Sequence, residues 1–369
     1  MTMPVRLASW DQAFGLHPIF EMNLPEGYLR ERLRLAFAKA TGTFDDIDLL
    51  AVVGRSQIGR LRYTAPDAEL DEDVPFLSVD EILANRRDGE LFAYMMERFA
   101  RYSGIAGVQP KVMIRDAARA QALEQGDKLG ASSVRGATHI VKLWDPLEYP
   151  QLAANEYFCL LAAERAGLAV PRRRLSDDGS ALVVDRFDLK SDGTYMGIED
   201  FCVLNARSTA RKYDGGYETH LFRRAKAFIP AELQRVELER LFTLFALNTV
   251  LRNGDAHLKN FALIYDNVDG PARLADVYDI VTTTAYLPSD GMALTLNGST
   301  RWPGLKDLMK LGTLRCGLSP RDVSLILERV ATAASETVPD MRHYAREMPA
   351  FADVAARMEV SWMAGIRLS

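Results

Sequence analysis

Within six consecutive residues, Asp255 to Asn260, the chain places a carboxylate, the imidazole of His257, the ammonium of Lys259 and a carboxamide. A carboxylate can take a proton from a hydroxyl, and an amide oxygen can ligate a hard cation. Together they suit transfer of a phosphoryl group. An acid and an amide five residues apart also occur by chance. The chemistry therefore needs a frame, a second metal ligand and a phosphate site elsewhere in the chain.

The frame is legible on both sides of the loop. Pro230 opens a long helix to about Leu251, apolar on nearly every face from Leu241 to Leu247, so it is expected to be buried. Asn253-Gly254 ends it, with Gly254 suited to a left-handed cap. After the loop, Phe261 to Tyr265 and Arg273 to Val277 predict a hairpin turned by Asp266 to Gly270, whose second strand runs on to Asp279. That hairpin folds Asp279 back towards Asp255 and Asn260. Asn260 and Asp279 then offer two hard oxygens for the Mg²⁺ of a nucleotide. The Asp255–Asn260 spacing equals that between the proton-accepting Asp and the metal-binding Asn in the catalytic loop of protein kinases.

The phosphate-binding half is less specific. Ser103 to Lys111 form a glycine-containing turn, with Ala106, Gly107, Val108 and Gln109 at its centre, entering a strand from Val112 to Arg115. Such a turn brings backbone N–H groups near phosphate oxygens, with Lys111 as a cation; a plain hairpin turn reads the same. Thr138 to Trp144 predict a strand carrying Lys142 among Ile140, Val141 and Leu143, and an inward ammonium needs a partner. The helix Leu152 to Ala166 offers Glu156, which is equally a surface residue by sequence. A second hairpin, Arg172 to Leu175 with Ala181 to Phe187, ends in the charged stretch Asp185-Arg186-Phe187.

The remainder reads as scaffold. Residues 1–82 form a small accessory unit: a helix from Tyr28 to Lys39 with Leu29, Leu33, Leu35 and Phe37 available to a core, the apolar segment Leu49 to Val53, a strand at Arg60 to Tyr63, and an acidic linker from Asp67. Helices follow at Ser78 to Arg87 and Leu91 to Tyr102, separated by Asp88-Gly89. Residues 188–230 are loop-rich, with Gly215-Gly216 suggesting mobility, and Arg223 to Lys226 as a solvated basic face or an acidic-partner contact. Two further helices are expected at Pro320 to Ala333 and Met341 to Met348. With 48% hydrophobic and 26% charged residues, the 369-residue chain has an ordinary globular composition. A net charge of -5 disfavours tight nucleic-acid binding by this chain alone. Cys159, Cys202 and Cys316 are too scattered for zinc or disulfide frameworks. Neither a signal peptide nor a membrane span is expected, which points to the cytoplasm.

In order and spacing, these motifs resemble the HipA family of bacterial serine/threonine kinases, the toxins of HipA–HipB type toxin–antitoxin modules. The residues that carry the likeness are Gly107 to Lys111, Thr138 to Leu143, Asn155-Glu156-Tyr157, Asp185 to Asp188, Gly254 to Phe261 and Tyr278-Asp279. The resemblance implies an α+β, bilobal protein-kinase-like fold. Its parts would be the accessory subdomain (1–82), an N-lobe with phosphate loop and hinge (83–190) and an α-rich C-lobe with the catalytic loop (191–369). It implies ATP and Mg²⁺ as cofactors and Asp255 as catalytic base. The phosphate loop would be Ala106, Gly107, Val108, Gln109 and Lys111, with Lys142 as nucleotide lysine and Asp185, Arg186 and Phe187 at the adenine hinge. His257 and Lys259 would line the nucleotide site, and Asn260 and Asp279 would hold the metal. A HipB-like helix-turn-helix antitoxin is the implied partner and an aminoacyl-tRNA synthetase an implied substrate, with translation arrest as the outcome. The alternative is a nucleotide-binding scaffold or co-repressor working with a DNA-binding antitoxin. Two departures stand out. Gly104 and Ile105 occupy positions where family members often carry a regulatory serine, leaving Ser103 as the nearby hydroxyl. The accessory unit resembles the family's N-terminal subdomain only from about Phe20, without its first strands.

Overall fold

Alternating apolar residues in three of the predicted strands produce one sheet whose two faces carry different chemistry. The protein is described from a computed structural model covering residues 15–41, 44–70, 73–84, 91–107, 109–126, 136–144 and 149–367. The stretch before Gly15, the Asp88-Gly89 break and Val108 lie outside the described residues. The chain divides into two units: residues 1–145, 172–199 and 266–268 form the first, and residues 146–171, 200–265 and 269–369 the second.

The first unit contains α1 (Pro18–Glu21), α2 (Gly27–Thr41), α3 (Asp46–Val53), α4 (Val79–Leu83), α5 (Leu91–Phe99) and α6 (Ala117–Gly126). Its four-stranded antiparallel sheet has the order β1 (Lys111–Ile114), β2 (His139–Leu143), β4 (Ala181–Asp185), β3 (Arg173–Leu175). Val112, Ile114, Val141, Leu143, Ala181 and Val183 share a core with Leu29, Leu33, Val53, Ile82, Met95 and Phe99. The period-2 alternation sends Lys111 and Lys142 to the opposite face, where the register makes them direct cross-strand partners. The accessory helices thus share a single core with the strands, and the chain does not divide at residue 82 or 190.

Local sequence explains these helices well. Asp45 caps α3 by accepting from Ile47 and Asp48 N–H, while the Asp48 carboxylate accepts from Asp45 N–H, a reciprocal capping box. Leu29 and Leu33 are four apart and buried, with Phe37 packed partly against them. Leu35 falls on the other side of that helix and is exposed. The expected strand at Arg60 to Tyr63 does not form. Tyr63 N–H instead donates to Gly54 O at 2.9 Å, closing a loop back onto α3. Strand β5 (Gly197–Asp200), within the stretch expected to be loop-rich, runs along the chain from the first unit into the second.

The second unit is helical: α7 (Leu152–Arg165), α8 (Phe201–Leu204), α9 (Arg223–Phe228), α10 (Ala231–Val250), α11 (Leu305–Cys316), α12 (Pro320–Glu347) and α13 (Ala352–Ile366), with the hairpin β6 (Ala262–Tyr265) and β7 (Arg273–Leu274). Helix α10 is central, packing on α11, α12, α13 and β7, and Leu241, Phe242, Ala246 and Val250 are fully buried. The two helices expected after Pro320 are one 28-residue helix with Pro339 inside it. Val330, Ala334, Thr337, Val338 and Met341 keep one face buried through the proline, so packing outweighs the lost hydrogen bond. Gly215 is packed under His220, and Gly216 N–H donates to His220 Nδ1 at 3.1 Å, so this glycine pair is tied into the structure. Among the described residues, no helix is long and apolar enough to cross a membrane.

Where α13 crosses the end of α10, a Cβ at Gly365 would lie 2.1 Å from Val250 O, a backbone atom that cannot yield cheaply. Gly365→Ala is expected to destabilise the protein by about 1–3 kcal/mol, measured as a lower Tm and denaturation midpoint than wild type.

Candidate active site

Helix α10 ends at Val250, and the chain turns through Arg252 at φ 57. Arg252, rather than Gly254, takes the left-handed conformation. Its guanidinium donates to Ala364 O at 3.1 Å and lies over the Trp302 ring at 4.9 Å. Gly254 is required for close approach: a Cβ there would meet Asp290 Oδ2 at 2.0 Å and Gly291 O at 2.5 Å. Its N–H donates to Thr283 Oγ1 at 2.8 Å. Asn253, held by donating from Nδ2 to Asn248 Oδ1 at 2.6 Å, accepts Asp255 N–H at 3.2 Å. The polar loop is therefore fastened to the buried helix residue by residue.

Asp255 accepts a hydrogen bond from the Tyr213 hydroxyl at 2.7 Å. Burial pushes the Asp255 carboxyl above the usual range, and the charges of Asp279 and Asp290 add to this, while the Tyr213 bond and Lys212 oppose it. Leu258 N–H donates to Lys212 O at 3.2 Å, fixing the tyrosine segment to the loop. Sequence reasoning missed Tyr213, because its only signal was a place in the Lys212 to Gly216 turn.

Asn260 Nδ2 donates to Asp279 O at 3.1 Å, and Asp279 N–H donates to Glu156 Oε1 at 3.2 Å. The expected return of Asp279 to the loop is thus present. Asp279 has φ 51, a left-handed conformation uncommon for a residue with a Cβ. Glu156 is fully buried, so the surface reading fails; it belongs to the second unit, whereas Lys142 belongs to the first. Beside it, Asn155 grips Thr282 through both backbone groups, at 2.8 Å and 3.1 Å. Asn260 Oδ1 is buried without a hydrogen-bond partner. An acceptor oxygen in that position fits a hard cation, with Asp279 as the adjoining carboxylate. Among the described residues, no group of three or more His, Cys, Asp or Glu could hold a metal ion.

Lys259 forms a buried ion pair with Asp200 at 3.0 Å, and Asp200 also caps α8 by accepting Val203 N–H. Its ammonium thus ties the loop to the scaffold. His257 is held neutral, its pKa pushed down to about 3 by burial and by the charges of Lys212 and Lys259. Its buried Nδ1 has no hydrogen-bond partner.

In the first unit, Gly107 has φ 120, and a Cβ there would sit 2.6 Å from Lys111 Nζ. Its N–H donates to the Glu26 carboxylate at 3.1 Å, so this amide already receives an anionic oxygen. Ala106 precedes it half-buried, and Gln109 Nε2 donates to Leu143 O at 3.1 Å. Ser103 is fully buried, donating to Phe99 O at 2.7 Å and accepting Met113 N–H at 2.9 Å. At the hinge stretch, Asp185 faces His139 Nε2 at 3.2 Å. Burial works to raise its pKa, but His139, Arg119 and Arg172 together hold it below the usual value. Arg186 is committed to a buried two-point pair with Asp188 and to Gln57 O at 2.9 Å, and Asp188 also accepts Gly59 N–H at 2.6 Å. Its side chain joins the hinge stretch to the accessory residues. Phe187 is half-buried.

Comparison with known proteins places this frame. The HipA-like C-terminal domain matches residues 103–338 and the HipA N-terminal domain residues 1–64. The chain belongs to the HipA family. The N-terminal match begins well ahead of Phe20, and the regular elements described between residues 15 and 64 are helices α1 to α3. Two Sinorhizobium fredii proteins are similar: "Putative kinase Y4dM", 28% identical over 75% of this chain and 64% of its own length, and "Putative kinase Y4mE", 32% identical over 73% and 64%. The chain spans a little under two thirds of these relatives. HipA of Shewanella oneidensis MR-1, solved with HipB and operator DNA, shares the fold at a TM-score of 0.63 and 18% identity, covering 94% of this chain and 86% of that one.

Two outcomes follow from the Asp255 environment. Because the folded carboxyl is raised, its contribution favours the fold below the unfolded-state pKa and is lost as pH rises through the folded value. Asp255→Asn should therefore melt higher than wild type at neutral pH, the gap closing in acid. Tyr213→Phe removes a bond to the charged form, so the acid limb of any activity that needs ionised Asp255 should move to higher pH.

Proposed function

We propose that the chain is a Mg-ATP-dependent protein kinase that transfers the γ-phosphate to a serine or threonine hydroxyl. The observation that carries this reading is the convergence of a half-buried carboxylate of raised pKa, Asp255, with the orphaned oxygen of Asn260 and the backbone-clamped Asp279. A scaffold needs none of these. Asp255 would accept the proton of the acceptor hydroxyl as its oxygen attacks the γ-phosphorus, and ADP would leave. Asn260 and Asp279 would hold Mg²⁺, which neutralises phosphate charge when bound.

Lys111 and Lys142 support the nucleotide role. The two are buried and set opposite each other on one sheet face, so their charges add at one place, which suits a polyphosphate. The Gly107 amide, already bonded to a carboxylate, suits a phosphate oxygen, and Ala106, Val108 and Gln109 are the proposed remainder of the phosphate loop. Asp185, Arg186 and Phe187 would present the backbone that holds adenine. A HipB-like helix-turn-helix antitoxin is the proposed partner, and any DNA contact would run through it, in keeping with the net charge of -5. An aminoacyl-tRNA synthetase is the proposed substrate, with translation arrest in the cytoplasm as the consequence.

The test is incubation with labelled ATP, Mg²⁺ and cell lysate, followed by mapping of the phosphorylated residue. Asp255→Ala is expected to lower transfer by about 10²–10⁴-fold while leaving the fold intact. Undiminished transfer by that variant removes Asp255 from its role, and nucleotide binding without any transfer by wild type favours the co-repressor reading.

A further inference from the structure

The oxygen bonded to Asp255 belongs to the chain itself. Three tyrosines grip the catalytic loop, and they differ in kind. Tyr217 donates to Ala256 O at 2.9 Å and Tyr278 to Lys259 O at 2.9 Å, both backbone carbonyls. Tyr217 is 2% exposed, as a structural tyrosine should be. Tyr213 instead donates to the carboxylate of Asp255 at 2.7 Å and is 47% exposed. Its ring stands edge-on to His257 at 5.0 Å, with Lys212 Nζ 5.5 Å from its centroid, so the phenol has a defined position on the loop. A nucleophilic hydroxyl within hydrogen-bond reach of a general base is the arrangement an acceptor must adopt.

We propose that Tyr213 is an internal acceptor, occupying the place of the substrate hydroxyl and being phosphorylated by the nucleotide bound to its own chain. This rests on the phosphotransferase reading above. In the step, Tyr213 Oη forms a bond to the γ-phosphorus of ATP. The bond from that phosphorus to the bridging oxygen breaks, and ADP leaves with the electron pair. The phenolic proton passes to Asp255 Oδ1 and then to water. The products are ADP and phosphotyrosine. A phosphotyrosine carries close to two negative charges and would face Asp255, Asp279 and Asp290, the acids whose charges meet at this point. Repulsion then drives the ring from the base and opens the place to an outside hydroxyl. Unmodified, Tyr213 competes with substrate; modified, it no longer can.

The experiment uses the full chain with Mg-ATP and no other protein, followed by peptide mapping and a protein-concentration series, and in parallel the lysate assay. Phosphate is expected on Tyr213, appearing at a fractional rate independent of protein concentration, and absent from both Asp255→Ala and Tyr213→Phe. Tyr213→Phe should transfer phosphate to lysate proteins severalfold faster than unmodified wild type. Labelled lysate proteins with Tyr213 unmodified would overturn this proposal and leave the kinase reading standing. A fractional rate that rises with protein concentration would overturn it too, by making the transfer intermolecular. No label on chain or lysate would remove both.

Discussion

Two hydrogen bonds to the backbone of Asp279 are what the proposed catalytic arrangement depends on. Asn260 donates to its carbonyl, and Glu156 accepts from its N–H. A residue with a Cβ held at φ 51 forgoes about 1–2 kcal/mol, so it persists only where neighbours dictate it. Here the neighbours are helix α7, which supplies Glu156 and Asn155, and the loop after α10, which supplies Asn260. With the backbone fixed, the position of the Asp279 side chain is set by the fold. Asn260 spends its amide nitrogen on this clamp, which leaves its oxygen buried and available for a cation.

The same economy of charge shapes the rest of the second unit. The half-buried carboxylate of Asp255 is disfavoured as an anion by desolvation, and nearby Asp279 and Asp290 make it more so. The fold opposes this with Tyr213 and Lys212 rather than with a full salt bridge, which keeps the group basic enough to accept a proton. Lys259 is withdrawn from the balance by Asp200, and His257 is held neutral by burial and by its cationic neighbours. The cations in the loop sequence thus do different work from the acids beside them. In the first unit, Arg186 is likewise withdrawn by Asp188, while Lys111 and Lys142 are set opposite each other by strand register.

Much of this was legible in the sequence. The apolar run of α10, the hairpin after Phe261 and the spacing of Asp255, Asn260 and Asp279 predicted a loop carried on a buried helix and met by a returning acid. Alternation and turn residues predicted strands carrying Lys142 and Asp185. These features are local, because a helix cap, a strand face or a tight turn is settled by residues a few positions apart.

What only the tertiary structure decided came from residues distant in the chain. By sequence Glu156 reads equally as a surface residue; the fold buries it, accepting from Asp279 N–H, 123 residues away. The sequence predicts separate helices at Pro320 to Ala333 and Met341 to Met348, yet continuous burial along one face carries α12 through Pro339. Gly254 read as a left-handed cap, but Arg252 takes that conformation and Gly254 is needed because Asp290 and Gly291 approach so closely. Tyr213 showed only a place in a turn, since its hydrogen bond to Asp255 spans 42 residues of chain. The sequence determined which groups were available for phosphoryl chemistry. Long-range packing and the burial of charge decided which became struts, which acceptor oxygen was left unbonded, and which hydroxyl rests against Asp255.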